Sequence, residues 1–323
     1  NYSSLTTQVN GSTFTQNAAQ RGGAIGNLST MGGANSALTI TNSTFDSNTA
    51  VVSGAPDLYW YGRGSGGAIL TAATGEGGDA TLAVNLSTFN ANVASESGSA
   101  IQNLILSANR STLSVDRSIL WATPTPGETP VVANSAIGWN PDTYSLVFTP
   151  ADPLNSGATA ALNSNIVQGG WTANGTGNID ADPMLSPIAN NGGLTSTLLP
   201  QSGSPAIDAI ACDAAVTTDQ RGKARPQTSG AQCDIGAVEL QQFKLDVTVT
   251  PGAGAAGSVS ATAGAAPVDP AKPIANCGSS DAAAQCGASY SETAGGTKVT
   301  LTATPASGFR LSEWTGACVG NTT

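Results

Sequence analysis

Over the first 120 residues, apolar positions alternate with polar ones in short runs. Leu38-x-Ile40, Leu82-x-Val84 and Leu113-x-Val115 are the clearest, and Thr7-x-Val9 is a weaker copy. Alternation over a few residues predicts strands with one face inward. The flanking residues are Gly, Asn, Ser and Thr, which serve turns and disfavour helix. Helical-pair repeats would need long apolar stripes at a period of about 3.6 residues.

Each run belongs to a longer phrase. Leu38-x-Ile40-x-x-Ser43-Thr44-Phe45 returns as Leu82-x-Val84-x-x-Ser87-Thr88-Phe89, with looser copies ending in Ser12-Thr13-Phe14 and Ser118-Ile119-Leu120. Asn17, Asn48 and Asn92 stand third after the three Phe residues. A small-residue turn follows: Gly22-Gly23-Ala24-Ile25, Gly66-Gly67-Ala68-Ile69, Gly98-Ser99-Ala100-Ile101. The steps from Phe14 to Phe45, Phe89 and Leu120 are 31, 44 and 31 residues. Uneven steps suit a solenoid whose coils keep their strands while their loops vary. The expectation is an all-β, right-handed parallel β-helix. In it Phe14, Phe45 and Phe89 form an inward aromatic ladder, and Asn17, Asn48 and Asn92 a polar ladder at a corner. The competing fold is a β-sandwich with repeated strands.

The paired F-x-x-N and G-G-A-I phrases resemble the repeats of polymorphic outer-membrane proteins and related bacterial surface β-helices, over roughly residues 1–120. A second resemblance lies in an ordered set of phrases. These are Asn178-Ile179-Asp180-Ala181-Asp182-Pro183, Asn190-Asn191-Gly192-Gly193, Gly203-Ser204-Pro205-Ala206-Ile207-Asp208, Thr218-Asp219-Gln220-Arg221-Gly222, Arg225-Pro226 and Cys233-Asp234-Ile235-Gly236-Ala237-Val238-Glu239. The set is similar to the C-terminal module of bacterial choice-of-anchor β-helix surface proteins, which implies an exported protein and no particular reaction. Physically it is expected to cap the raw strand edge of the last coil. Asp219, Arg221, Arg225, Asp234 and Glu239 are expected to fix its loops as a salt-bridge cluster, with a catalytic cluster as the alternative. From Phe243 the composition shifts. Gly296-Thr297-Lys298-Val299-Thr300-Leu301-Thr302-Ala303-Thr304-Pro305 and Trp314-Thr315-Gly316-Ala317-Cys318 resemble a divergent internalin B-type repeat, a small all-β module of bacterial surface proteins. The expected domains are therefore a β-helix over 1–183, its cap over 184–241 and a small β domain over 242–323.

Charge narrows the partners. Only 10% of the 323 residues are charged, the net charge is −10, and the first Lys is Lys223. Neither nucleic acid nor an anionic membrane surface fits such a chain. No apolar run approaches the roughly 18 residues that span a bilayer. The five cysteines all lie in the last third, no pair is C-x-x-C, and His is absent. Disulfides in an oxidising compartment are expected, Cys212–Cys233 and Cys277–Cys286, with Cys318 left over. No metal and no cofactor are expected. The repeat that opens almost at Asn1 reads as an excerpt of a longer, processed protein.

Catalytic chemistry on a β-helix would need clustered carboxylates or a Ca²⁺ site with a base. Asp46 is matched by Thr15 and Asn90 on the neighbouring coils, so stacking builds no carboxylate cluster there. Asp116 and Arg117, taken as neighbours on one strand, should face opposite ways. No enzyme activity is expected. One segment stands out as a contact surface: Tyr59, Trp60, Tyr61 and Arg63, three aromatics and a cation on one loop. Packing of that loop on the helix wall is the alternative. The leading expectation is an exported protein at the bacterial cell surface acting by contact, as adhesin or stalk, on a glycan or protein of another cell or surface. A fibre or sheath built from copies of the chain comes second, and a polysaccharide-active enzyme third.

Overall fold

The computed structural model describes residues 4–29, 33–52, 63–74, 78–106, 110–122, 131–140, 145–150, 158–171, 174–227, 231–250, 257–264, 272–279, 284–293 and 296–316. The chain divides into two compact units, Asn1–Glu239 and Leu240–Thr323. Among the described residues both are all-β, without a helix.

In the first unit the chain visits the same sheets in turn and comes back. The first coil runs Leu5–Asn10, Thr13–Thr15, Ala18–Ala19 and Ile25–Ser29, and the second repeats it as Ser36–Thr41, Thr44–Asp46, Thr49–Ala50 and Ile69–Ala73. Equivalent strands pair in parallel and in register, Val9 on Ile40 and Ile40 on Val84. The first sheet continues to Ser111–Asp116 and Ala158–Asn163, and the second to Ile119–Trp121 and Ile166–Val167. One strand departs from this rule: Ser145–Pro150 lies antiparallel on Val132–Asn140 at the end of the fourth sheet. An all-β fold on parallel sheets is consistent with the expected β-helix.

In-register stacking puts like side chains on top of one another. The Phe14 and Phe45 rings are parallel within 4° at 4.8 Å, and those of Phe45 and Phe89 within 3° at 4.6 Å. Leu120 and Val167 carry this column onward through the core. Corners are turned by single residues with left-handed backbone. After the first-sheet strands these are Gly11, Asn42, Leu86, Arg117 and Ser164, and after the second Gln16, Ser47 and Ala91. A non-glycine residue there costs about 1–2 kcal/mol. For Leu86, which is buried against Ile119 and Ile166, burial worth about 1.5–3 kcal/mol offsets that cost. Arg117 thus stands at a corner beyond the strand, not on it beside Asp116 as expected. Gly67 is required for a different reason: a Cβ there would run into the carbonyl of Ser99 on the next coil.

The last coil is covered by the chain that follows it. Leu162, Ser164 and Val167 donate their N–H groups to the carbonyls of Asn174, Thr176 and Ile179. The module after residue 183, expected over that end, lies elsewhere. It runs along the outer side of the second sheet, across the register column Thr13, Thr44, Thr88, Ile119, Ile166. Thr44 Oγ1 donates to Gln220 Oε1 (2.6 Å), Gln220 Nε2 donates to Thr13 Oγ1 (2.9 Å), and Ala237 N donates to Thr88 Oγ1 (3.0 Å). Ile119 and Ile166 pack with Ala206, Ile210 and Ile235. The Thr of the repeated phrase is therefore an anchor for the module. Gly236 allows the approach, since a Cβ would press on Thr88 and Ile119.

The second unit is two antiparallel pairs, Gln242–Asp246 with Gly287–Ser291 and Gly257–Gly264 with Val299–Pro305. Val259, Ile274, Cys277, Ala288 and Tyr290 form its core, with Trp314 packed against it.

Candidate functional site

Two polar systems dominate the first unit. One is the set of ladders inside the coils. Asn48 Oδ1 accepts from Asn17 N (3.1 Å) and Asn17 Nδ2 (2.9 Å), while Asn48 Nδ2 donates to Asn92 Oδ1 and to Phe14 O, both 2.9 Å. Asn92 Nδ2 in turn donates to Phe45 O. A second ladder is built from the Ser of the phrase. The N–H of Ser12, Ser43 and Ser87 donates to Oγ of Ser43, Ser87 and Ser118, and then Ser118 and Asn165 donate to the Oδ1 of Asn165 and Asn178. A third joins Asn27 to Thr71 (2.9 Å) and Asn103 to Asn134 (2.7 Å) inside the fourth sheet. Sequence reasoning missed the second and third ladders. The signal for the third was a polar residue two places after Ile25, Ile69, Ile101 and Val132.

The other system is the ion network of the module. A tight turn brings Asp219 N to Lys223 O (2.8 Å), and Thr218 bridges Ala224 across it. Asp219 Oδ1 caps the turn by accepting from the N–H groups of Arg221 and Lys223. Its Oδ2 accepts from Arg221 Nε and Glu239 N. Arg225 donates to Glu239 Oε2 (3.1 Å) and to the Asp234 and Gly236 carbonyls. Glu239 accepts in addition from Gln227 N and Asp234 N, and Asp234 Oδ1 accepts from Asp208 N. Asp219, Arg221, Arg225, Asp234 and Glu239 are all buried. Burial pushes the Glu239 carboxyl up, against the pull of the Asp234 N–H and the Arg225 guanidinium, and lowers Arg225 in the same way against Glu239. These charges fasten the turn at 219–223 to the irregular segment 233–239. Outside it, Arg117 meets Asp213 at 3.3 Å, and Asp213 lies below the usual carboxylate range because the Ala215 N–H donates to it.

Among the described residues no group of three or more His, Cys, Asp or Glu could hold a metal ion. Asp46 accepts from Asn90 Nδ2 (2.8 Å), in the column Thr15–Asp46–Asn90. Tyr59, Trp60 and Tyr61 lie outside the described residues, as does Cys318. Arg63, expected with them either at a contact surface or packed on the wall, is only 6% exposed. It precedes Gly64 and Ser65, and Ser65 bridges Arg21 and Ser97 within the coil wall, which draws Arg63 inward. Cys212 is bonded to Cys233, and Cys277 to Cys286.

Residues 280–323 match the family model of the divergent InlB B-repeat domain. No curated protein matches the chain, and no solved structure does. The match covers the closing strands of the second unit. It points to a bacterial surface protein, and with the two disulfides to an extracellular or surface location.

Proposed function

We propose that the chain is an exported bacterial cell-surface protein acting by contact, as an adhesin or a surface stalk. On this reading its body is a right-handed parallel β-helix, the hand that parallel crossovers adopt in about 98% of cases. The observation that carries the proposal is the unbroken stack. Phe, Ser and Asn columns run from coil to coil in register, and a module strapped along the outside ties the first coil to the last. Such a body is stiff and chemically quiet, and suits holding variable loops at a distance. The resemblances of the coil phrases and of residues 178–239 to bacterial surface β-helices support the same reading.

Tyr59, Trp60 and Tyr61 are the proposed contact residues, and the partner a glycan or protein on another surface. The test is binding to a glycan array and to whole cells. Replacing the three aromatics by Ala should abolish binding while the melting temperature stays within about 2 °C, since substitutions away from a packed core usually cost little. A wild-type chain that binds neither glycans nor cells would sink the adhesin. A second reading, a fibre subunit, draws on the edge position that the first-coil strands hold in their sheets among the described residues. The covered edge of the last coil stands against it. Electron microscopy of protein from its native source separates the two, as filaments or as isolated rods.

A further inference from the structure

The first sheet has an outer face as regular as its core. Its five strands pair in parallel and in register, so outward residues stand in rows across the coils. One row is Thr6, Ala37, Thr81, Thr112 and Thr159. Two residues further along the strands the next row is Gln8, Thr39, Ala83, Ser114 and Ala161. Thr39, Thr81, Thr112 and Thr159 are exposed, between buried neighbours such as Leu82 and Leu113. Among the described residues nothing bonds their hydroxyls. The third row is different: Asp116 accepts from Ser114 and Asn163, and Asn85 donates to Asp213 of the module. Apart from Gln8, the two open rows present small side chains with hydroxyl and methyl groups and no charge. Thr is stiff at its first side-chain torsion. The stacked Phe and Asn columns hold the strands from behind.

We propose that this face is an ice-binding surface, with the ordered water of an ice crystal as its partner. Neighbouring strands stand about 4.8 Å apart, and alternate residues of one strand about 6.6 Å. The first repeat lies within a few tenths of an ångström of the oxygen repeat on a prism face of ice. Hydroxyls of Thr and Ser take places in that lattice, while methyls of Thr and Ala sit in the gaps between water molecules. The absence of charge from the two rows matters as much, because a fixed charge resists losing its own hydration shell. A second copy of the chain fits less well. Four strand spacings by four residue steps cover roughly 250 Å², well below the roughly 800 Å² per partner of a stable interface. A crystalline polysaccharide is equally flat, but sugar rings are gripped through aromatic faces, and these rows hold no aromatic residue. Tyr59, Trp60 and Tyr61 are not in these rows, so the adhesin can fail without the ice surface, and the ice surface without the adhesin.

The experiment measures thermal hysteresis of the full chain and its uptake into a slowly growing ice hemisphere. Wild type should hold the freezing point below the melting point of ice and be taken into the crystal, where a control protein is excluded. Thr81→Lys and Thr112→Lys each put a long charged side chain in the first row. Both should abolish hysteresis and uptake while the thermal midpoint of the protein moves by no more than about 2 °C. Thr300→Lys, at an exposed place on the second unit, should change neither. Ala37→Thr completes the first row and should raise the hysteresis. A wild-type chain with no hysteresis and no uptake overturns the proposal, as does activity that survives both Lys substitutions. No gain from Ala37→Thr overturns it as well, whether or not the Lys variants fold. Binding to microcrystalline cellulose or chitin that is lost on Thr81→Lys, without any ice activity, would assign the face to a polysaccharide solid and refute the ice partner.

Discussion

Truncating Asn48 to Ala tests the ladder at its most connected point. The side chain is fully buried and makes four bonds: it accepts from Asn17 N and Nδ2 and donates to Phe14 O and Asn92 Oδ1. At a net value of about 1 kcal/mol each, the loss is about 4 kcal/mol. Asn17 is exposed, so water replaces part of what it loses, and about 3 kcal/mol is a fair expectation. Asn17→Ala is the matched comparison: it removes only the Nδ2 bond to Asn48, about 1 kcal/mol. For a unit of this length, 1 kcal/mol moves the midpoint by about 2–4 °C. The thermal transition of the first unit should therefore fall by roughly 6–12 °C for Asn48→Ala and by roughly 2–4 °C for Asn17→Ala. Asn48→Asp adds a signature of its own. At neutral pH its carboxylate faces Phe14 O and Asn92 Oδ1 without a proton to donate, so it should melt no higher than the Ala variant. Acidification should restore part of the loss, because a protonated acid has one donor. Equal midpoints for Asn48→Ala and Asn17→Ala would refute the ladder as a source of stability.

Three further outcomes follow from the packing and the charges. Gly67→Ala drives a Cβ into the Ser99 carbonyl and should cost about 3 kcal/mol or more in chemical denaturation, whereas Gly26→Ala, whose Cβ would meet only the Leu28 side chain at an ordinary 3.9 Å, should stay within about 0.5 kcal/mol. Glu239→Gln leaves Arg225 buried without its counter-charge and should cost about 3–5 kcal/mol, most of it recovered when Arg225 is replaced by Met in the same chain; a single variant as stable as wild type would mean the pair is not dry. Asp213 has its folded pKa lowered, so its contribution is present above the unfolded value near 3.9 and is lost as pH falls through the folded one. Asp213→Asn should therefore lower stability in the neutral region by under about 1 kcal/mol and leave it almost unchanged below the folded value, which flattens the acid limb of the stability–pH curve. Glu239 carries the opposite sign: its pKa is raised, so its share is lost as pH rises through the folded value.

The inward columns were legible because repetition leaves little choice. A Phe that recurs with the same neighbours, as Phe14, Phe45 and Phe89 do, must meet its copies once equivalent strands pair in register. Asn third after each Phe falls at a corner for the same reason. What was not legible is the other face of those strands. Thr at the places of Thr13, Thr44 and Thr88 is as good on a wet surface as under a packed module, and nothing in its chemistry separates the two. The sequence drift to Ile119 and Ile166 in that column was the available clue. Arg63 was open between two readings, contact surface or packing on the wall, and the bridges of Ser65 beside it account for its burial. The corners at Leu86 and Arg117 were hidden because a left-handed residue that is not Gly leaves no mark in the sequence.

The module that lies across the column from Thr13 to Ile166 also acts as a ruler. Most stacked repeats gain and lose units freely in evolution, since each unit meets only its neighbours. Here Gln220 is seated on Thr13 and Thr44, and Gly236 and Ala237 on Thr88 and Ile119, by one short piece of chain. Duplicating a coil between those seats would carry one of them out of reach by about the 4.8 Å strand spacing. Loops between coils remain free to lengthen, as the steps of 31 and 44 residues already illustrate. The number of coils beneath the ruler does not.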